Sequence, residues 1–95
     1  MTGSDNDPRV TGLRTAVSRL RRQLAALPTE FPDRGIAEDE LAALAAMTID
    51  GMPDVPRLRR SLLVIAGAIG SVSALSRGLS DVRTAVELFG EPPRA

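Results

Sequence analysis

Large apolar residues recur every three or four positions in the first third of the chain, and the residues between them are polar or small. This spacing predicts an α-helix over residues 8–27 with an uninterrupted heptad seam, a narrow apolar stripe typical of paired helices. Asp7 is the predicted N-cap, and Pro8 is the predicted first helical residue. The heptad seam consists of Val10, Leu13, Val17, Leu20, Leu24 and Leu27.

Three further segments show helical spacing, and the connectors between them are marked by proline or glycine. These helices are predicted over residues 36–49, 55–76 and 80–89. Residues 76–78, with the sequence SRG, are interpreted as the end of the third helix. Apolar residues also continue at helical spacing across Gly78, so one long helix over residues 55–89 is the alternative. No segment shows a strand pattern.

The predicted fold is therefore an all-α bundle of three to four helices. A chain of 95 residues with 43% hydrophobic content fits one small domain. We place this domain at residues 8–89 and predict disordered tails at residues 1–7 and 90–95. The core has only two aromatic residues and must use many alanines. Because alanine buries little apolar area, we expect the chain to gain stability by association.

The stretch SLLVIAGAIGSVSAL, residues 61–75, raises the question of a membrane span. Its uncharged helix would be about 24 Å long, which is short of the roughly 30 Å of hydrocarbon that a span must cross. A core helix is the better interpretation. Small residues line one face of it and favour the close approach of another helix, from the same chain or a second copy. The small-residue face consists of Ala66, Gly67, Gly70 and Ala74.

Composition argues against most catalytic chemistry. The chain has no Cys and no His, and all twelve basic residues are Arg. Thiolate chemistry, the usual zinc ligands, the commonest general base and lysine chemistry are thus missing. The acidic run at residues 38–40 is interpreted as a helix first turn, where carboxylates favour the positive end of the dipole. We expect no metal, no cofactor and no enzyme activity. Without a signal-peptide pattern at the N-terminus, a cytoplasmic protein is expected.

Charge is arranged in blocks although the net charge is zero. Residues 8–28 carry five arginines and no acid, residues 29–54 are strongly acidic, and residues 55–78 are basic again. The favoured interpretation is that basic and acidic helices lie side by side. The alternative is a nucleic-acid surface, with residues 40–62 as a helix-turn-helix. Its contact residues would be Arg14, Arg21, Arg22, Arg57, Arg59 and Arg60.

Two resemblances bear on function. The segment LRTAVSRLRRQLAAL, residues 13–27, resembles the start of the all-helical chorismate mutases, but the resemblance stops at Pro28 and no Lys follows. The Ala, Leu and Arg richness is similar to that of small uncharacterised helical proteins of actinobacteria, which implies no activity. We therefore predict a non-catalytic interaction or regulatory module, a homo-oligomer or one docked on a partner protein. Its contact surfaces would be the heptad seam and the small-residue face.

Overall fold

The computed structural model describes residues 7–28, 30–49 and 53–90, and this part of the chain forms four α-helices with no strand. The helices are α1 (Pro8–Ala26), α2 (Arg34–Met47), α3 (Val55–Ile69) and α4 (Ser76–Gly90), with a 3₁₀ turn at Ser73–Leu75. The predicted all-α bundle is confirmed. The predicted tails at 1–6 and 91–95 lie outside the described residues, whereas Asp7 and Gly90 belong to the helical part.

The first helix begins as its sequence predicts. The backbone N–H of Arg9 donates to Oδ1 of Asp7 at 2.9 Å, which satisfies one of the backbone donors left over at a helix start. Pro8 occupies the first helical position. The helix ends at Ala26, two residues before Pro28, because proline disfavours a helical conformation in the residue that precedes it.

The helices run up, down, up and down around one core. Each helix packs against the next one in the chain, and α4 returns to pack against α1. The middle of α2 meets the middle of α3, where the Ser61 hydroxyl donates to Oε2 of Glu40 at 2.7 Å. The α1 and α4 helices are antiparallel, with Arg19 3.9 Å from Asp81. Hence α1 and α3 are diagonal neighbours, and their outer faces point away from each other.

The boundary between α3 and α4 differs from the prediction. The third helix ends at Ile69, and Gly70 and Ser71 form a turn before the 3₁₀ turn leads directly into α4. Gly, Ser and the β-branched Val72 follow one another here, and each is a weaker helix former than the alanines upstream. Val72 takes an extended conformation. The predicted end at residues 76–78 and the alternative of one long helix are both wrong.

The core is aliphatic apart from Phe89 and comes from all four helices. Seventeen hydrophobic residues of the described ranges are buried, among them Leu41, Leu58, Ile65 and Val82, which are fully enclosed. Among the described residues, no helix is long and apolar enough to cross a membrane. In α3, Ile65 and Ile69 are fully buried and place the core-facing side of the helix inside the bundle.

Candidate interaction surfaces

The heptad seam lies inside the bundle. Its first five side chains are at most 2% exposed, and Leu27 is half-buried at the end of α1. Because α2 and α4 of the same chain cover the seam, a second chain does not reach these side chains. The prediction that the heptad seam contacts a second chain is therefore wrong for these buried side chains. The seam packs α1 against α2 and α4 of the same chain.

The small-residue face of α3 is largely uncovered by the chain itself. Ala66 is half-buried against the core, whereas Gly67, Gly70 and Ala74 are exposed. A Cβ added at Gly70 would collide with the carbonyl oxygen of Ala66, so the turn after α3 explains this glycine. Around Gly67, apart from its own helical backbone, no described atom lies within 4 Å of where a Cβ would be. None of the four helices described here packs close enough to explain Gly67.

The glycine that does allow two helices to approach is Gly78, which the sequence prediction had placed at a helix end. It lies buried in α4. A Cβ there would collide with Oε1 of Gln23 and would come within 3.0 Å of Cδ1 of Leu20. The spacing carries the signal for this contact, since Gly78 precedes the buried Val82 by one helical turn. Close packing at a glycine is thus present, but between α1 and α4.

The outer side of the same two helices forms an open groove of about 490 Å³, which we call the α1–α4 groove. Most of its lining is small, and it has an ion pair at one end and a leucine at the other. The Arg19 and Asp81 side chains of this pair are 56% and 46% exposed, and Leu88 is 51% exposed. The lining residues are Gly12, Thr15, Ala16, Arg19, Asp81, Thr84, Ala85 and Leu88.

Leu63 is the most exposed large hydrophobic residue of α3, with 73% of its surface accessible. It precedes Gly67 by one turn and therefore lies on the same outward side of the helix. We call this pair of positions the α3 outer face. Ile36 and Ile49 of the acidic segment are also more than half exposed.

The arginines predicted for nucleic-acid contact do not form one surface. All six are exposed, but half of them belong to α1 and half to α3, which lie diagonally across the bundle. The α2 and α3 helices pack against each other, and the Ser61 hydroxyl joins them by its hydrogen bond to Glu40. The helix-turn-helix interpretation of residues 40–62 stays a prediction.

Two arginines cap the ends of neighbouring helices, a role that the sequence analysis missed. Nη2 of Arg14 donates to the carbonyl oxygen of Thr48 at 2.8 Å, at the end of α2. In return, Arg34 at the start of α2 donates to the carbonyl oxygens of Leu24 and Leu27 at 2.7 and 2.8 Å, at the end of α1. Guanidinium groups suit this task because they carry several donors in one plane.

The basic helices α1 and α3 each pack beside the acidic α2, as the favoured interpretation predicts. The ion pairs described are Arg9 with Asp7, Arg19 with Asp81, and Arg34 with Glu38, and none of these three joins α1 to α2. Where basic α1 meets acidic α2, the arginines bind carbonyl oxygens at helix C-termini. These carbonyls carry the negative end of the helix dipole, so the charge complementarity is local.

The start of α1 is tied to the end of α4. The guanidinium of Arg9 lies 5.1 Å from the centroid of the Phe89 ring, in cation–π contact. The same group pairs with Asp7 at 2.9 Å. The side-chain and then the backbone hydrogen bond from Arg9 hold the pKa of Asp7 below its usual value of 3.8, and Asp7 in turn raises the pKa of Arg9. The sequence predicted the cap but not the ring contact.

A family of unknown function, DUF5955, matches residues 2–90, which is nearly the whole chain. The prediction of an uncharacterised family is confirmed to that extent. No curated protein and no solved structure matches the chain. Within the described ranges, no group of three or more potential ligands among His, Cys, Asp and Glu is placed to hold a metal ion.

Proposed function

The chain belongs to DUF5955, a family of unknown function, and we propose that it is a non-catalytic protein–protein interaction module that self-associates or docks on a partner protein through surfaces on α1 and α3. The observation that carries this proposal is the combination of an open glycine position with an exposed leucine, which occurs twice. Each of these helices has an interior glycine whose Cβ position no described residue approaches, apart from the local helical backbone, and each glycine lies beside an exposed leucine.

The first element of the combination is the glycine. A glycine in a helix interior costs about 1 kcal/mol relative to alanine. At Gly78 the approach of Leu20 and Gln23 explains the absence of a side chain. At Gly12 and Gly67, by contrast, no described atom beyond the local helical backbone lies within 4 Å of the Cβ position. The approach of another chain would give these two glycines the function that Gly78 has inside the bundle.

The second element is the leucine. Leu63 stands one turn from Gly67 on the α3 outer face, and Leu88 lines the α1–α4 groove together with Gly12. Both leucines are more than half exposed, although the core is already filled by other residues. Burying an exposed leucine against a partner stabilises a complex by roughly 25 cal/mol per Å² of apolar surface. A protruding leucine beside a glycine thus offers a projection and a recess on the same surface.

Site-specific photo-crosslinking in the native cells tests the proposal. A photoreactive residue is placed at position 63 or at position 88, with position 87 as the matched control because Glu87 is exposed and does not line the groove. We expect discrete crosslinked species from 63 and 88 well above those from 87, and mass spectrometry shows whether the captured chain is a second copy. Crosslinking at both positions no stronger than at 87 would overturn the proposal.

A further inference from the structure

We propose that the α1–α4 groove is the interface of a symmetric homodimer, in which a second copy of the chain docks groove to groove. This inference rests on the proposed function and specifies its partner. It depends on how the two helices are matched along the groove, since at each end of the groove a residue of α1 lies level with a complementary residue of α4.

The register of the two helices follows from one measured contact. Arg19 of α1 lies 3.9 Å from Asp81 of α4, and the helices are antiparallel. Seven residues are close to two helical turns and return to the same face of a helix. Moving two turns from this pair therefore leads to Gly12 on α1 and Leu88 on α4, which line the other end of the groove. The threonines and alanines of the lining fill the space between the ends.

A two-fold axis parallel to the groove makes use of this register. Rotation about such an axis leaves the position of each residue along the groove unchanged. It places α1 of one copy opposite α4 of the other. In a two-fold interface the same pair of residues meets twice, once in each direction. Arg19 then faces Asp81 of the second copy, and Leu88 faces Gly12 of the second copy. The groove is thus complementary to itself at both of its ends.

Charge complementarity favours the second copy over an unrelated apolar helix. Within one chain the Arg19–Asp81 pair is long and about half exposed, and such isolated surface pairs contribute little to stability. Docking two grooves brings two such pairs together as a ring of four alternating charges. Exposed ion pairs contribute more when several charges form a network. A purely apolar helix would cover Arg19 and Asp81 without offering them partners.

Shape complementarity operates at the other end. The space around the Cβ position of Gly12 is open among the described residues, while Leu88 of the same groove is 51% exposed. In the symmetric arrangement each leucine enters the recess at the glycine of the other copy. Between the ends, Ala16 and Ala85 have short side chains, so the helices of the two copies can come close together. The dimer therefore buries both copies of Leu88, each in the recess at Gly12 of the other copy.

Charge reversal in trans tests this arrangement. Arg19→Asp and Asp81→Arg each place like charges opposite one another in a dimer of identical copies. We expect each variant to raise the dimer Kd at least about tenfold in sedimentation or light-scattering dilution series, a change that corresponds to about 1.4 kcal/mol. An equimolar mixture of the two variants restores both cross-pairs, so we expect dimers of one copy of each with a Kd near that of the unchanged protein.

The mixture separates the dimer from a purely intrachain role for the ion pair. If the pair acted only within one chain, mixing two repelling variants would restore nothing. Leu88→Ala should raise the Kd by a similar factor, and Arg21→Asp, on α1 but outside the groove, should leave it unchanged. Circular dichroism melting of each variant verifies that the bundle remains folded.

Two outcomes overturn the inference. One is an unchanged protein that stays monomeric up to about 1 mM, a concentration at which even a dimer of −4.1 kcal/mol would be half formed. The other is a mixture of the charge-reversed variants that stays as weak as either variant alone. If either occurs while position 63 still crosslinks, the groove is not the dimer interface but the interaction-module proposal stands. If crosslinking fails at positions 63 and 88 alike, the broader proposal fails as well.

Discussion

The two sides of the α1–α4 contact use glycine in opposite ways. On the inner side, Gly78 leaves space that Leu20 and Gln23 of the same chain occupy. On the outer side, Gly12 leaves space that no described residue occupies. Gly12 lies past the first turn of α1 and Gly78 lies in the first turn of α4, and at both positions glycine is a weaker helix former than alanine. The contrast teaches that a helical glycine is explained by what occupies the place of its missing side chain, and the following predictions test that principle.

Replacing Gly78 should have the largest effect. In Gly78→Leu the new side chain must displace both Gln23 and Leu20 at the inner side of the contact. We expect the free energy of unfolding to fall by about 2 to 3 kcal/mol, the upper part of the range for overpacking a close-packed core. Urea denaturation followed by circular dichroism measures this change. A variant as stable as the unchanged protein would show that the α1–α4 contact is looser than the structure indicates.

Replacing the largely buried Arg34 should have the next largest effect on the free energy of unfolding. The Arg34 side chain is only 14% exposed and donates to two carbonyl oxygens at the end of α1. Arg34→Met retains much of the apolar stem but leaves these carbonyls without their charged donor. We expect a loss of about 2 kcal/mol in the free energy of unfolding, since hydrogen bonds to charged groups contribute about 1.5 to 3 kcal/mol.

The matched control is Arg19→Met, because the Arg19 side chain is mostly exposed. Exposed ion pairs contribute about 0 to 1 kcal/mol, so this variant, measured as a monomer, should change stability far less. Equal losses from the two substitutions would contradict the capping role of Arg34.

Filling an open glycine position should act in the opposite direction to filling Gly78. Gly67→Ala adds a methyl group where the described residues leave space, and alanine favours the helix. We expect the isolated chain to gain about 0.5 to 1 kcal/mol of stability. Thermal and urea unfolding at low protein concentration measure it. A destabilised variant would mean that Gly67 is packed within the chain, and the parallel with Gly12 would fail.

The smallest expected effect is the pH dependence of the α1 cap. The hydrogen bonds from Arg9 lower the pKa of folded Asp7 below 3.8, so the unfolded chain binds this proton more readily. The contribution of Asp7 to stability is therefore fully present above the unfolded value and is lost as the pH falls through the lower folded value. Comparing urea midpoints between about pH 5 and about pH 2 measures it. Asp7→Asn keeps a capping oxygen but should remove this part of the pH dependence.

Much of the fold could be predicted from the sequence because apolar periodicity dominates it. The seam of α1 identifies the inner face of that helix residue by residue, and Asp7 with Pro8 marks its start. The end of α3 could not be located in the same way. The apolar spacing continues past Gly70, and only the modest propensities of Gly, Ser and Val mark the turn there. Tertiary packing decides between such alternatives.

The candidate surfaces were harder to predict because a sequence does not show which apolar face is already covered. The seam and the small-residue face both have the pattern of a contact surface, but only the bundle shows that α1 uses its seam internally. The α1–α4 groove combines residues about seventy positions apart, so no local pattern reveals it. The arginine caps could not be predicted for a similar reason. Basic residues opposite an acidic helix suggest ion pairs, whereas the carbonyl oxygens at a helix end belong to the backbone and are not visible in the composition.

The paired arginine caps have a consequence for local unfolding. Arg14 of α1 closes the end of α2, and Arg34 of α2 closes the end of α1. Neither helix end can fray without detaching a side chain that belongs to the other helix. The first two helices should therefore open as a single cooperative unit in native-state hydrogen exchange, with the last turn of α1 and the last turn of α2 protected to the same degree.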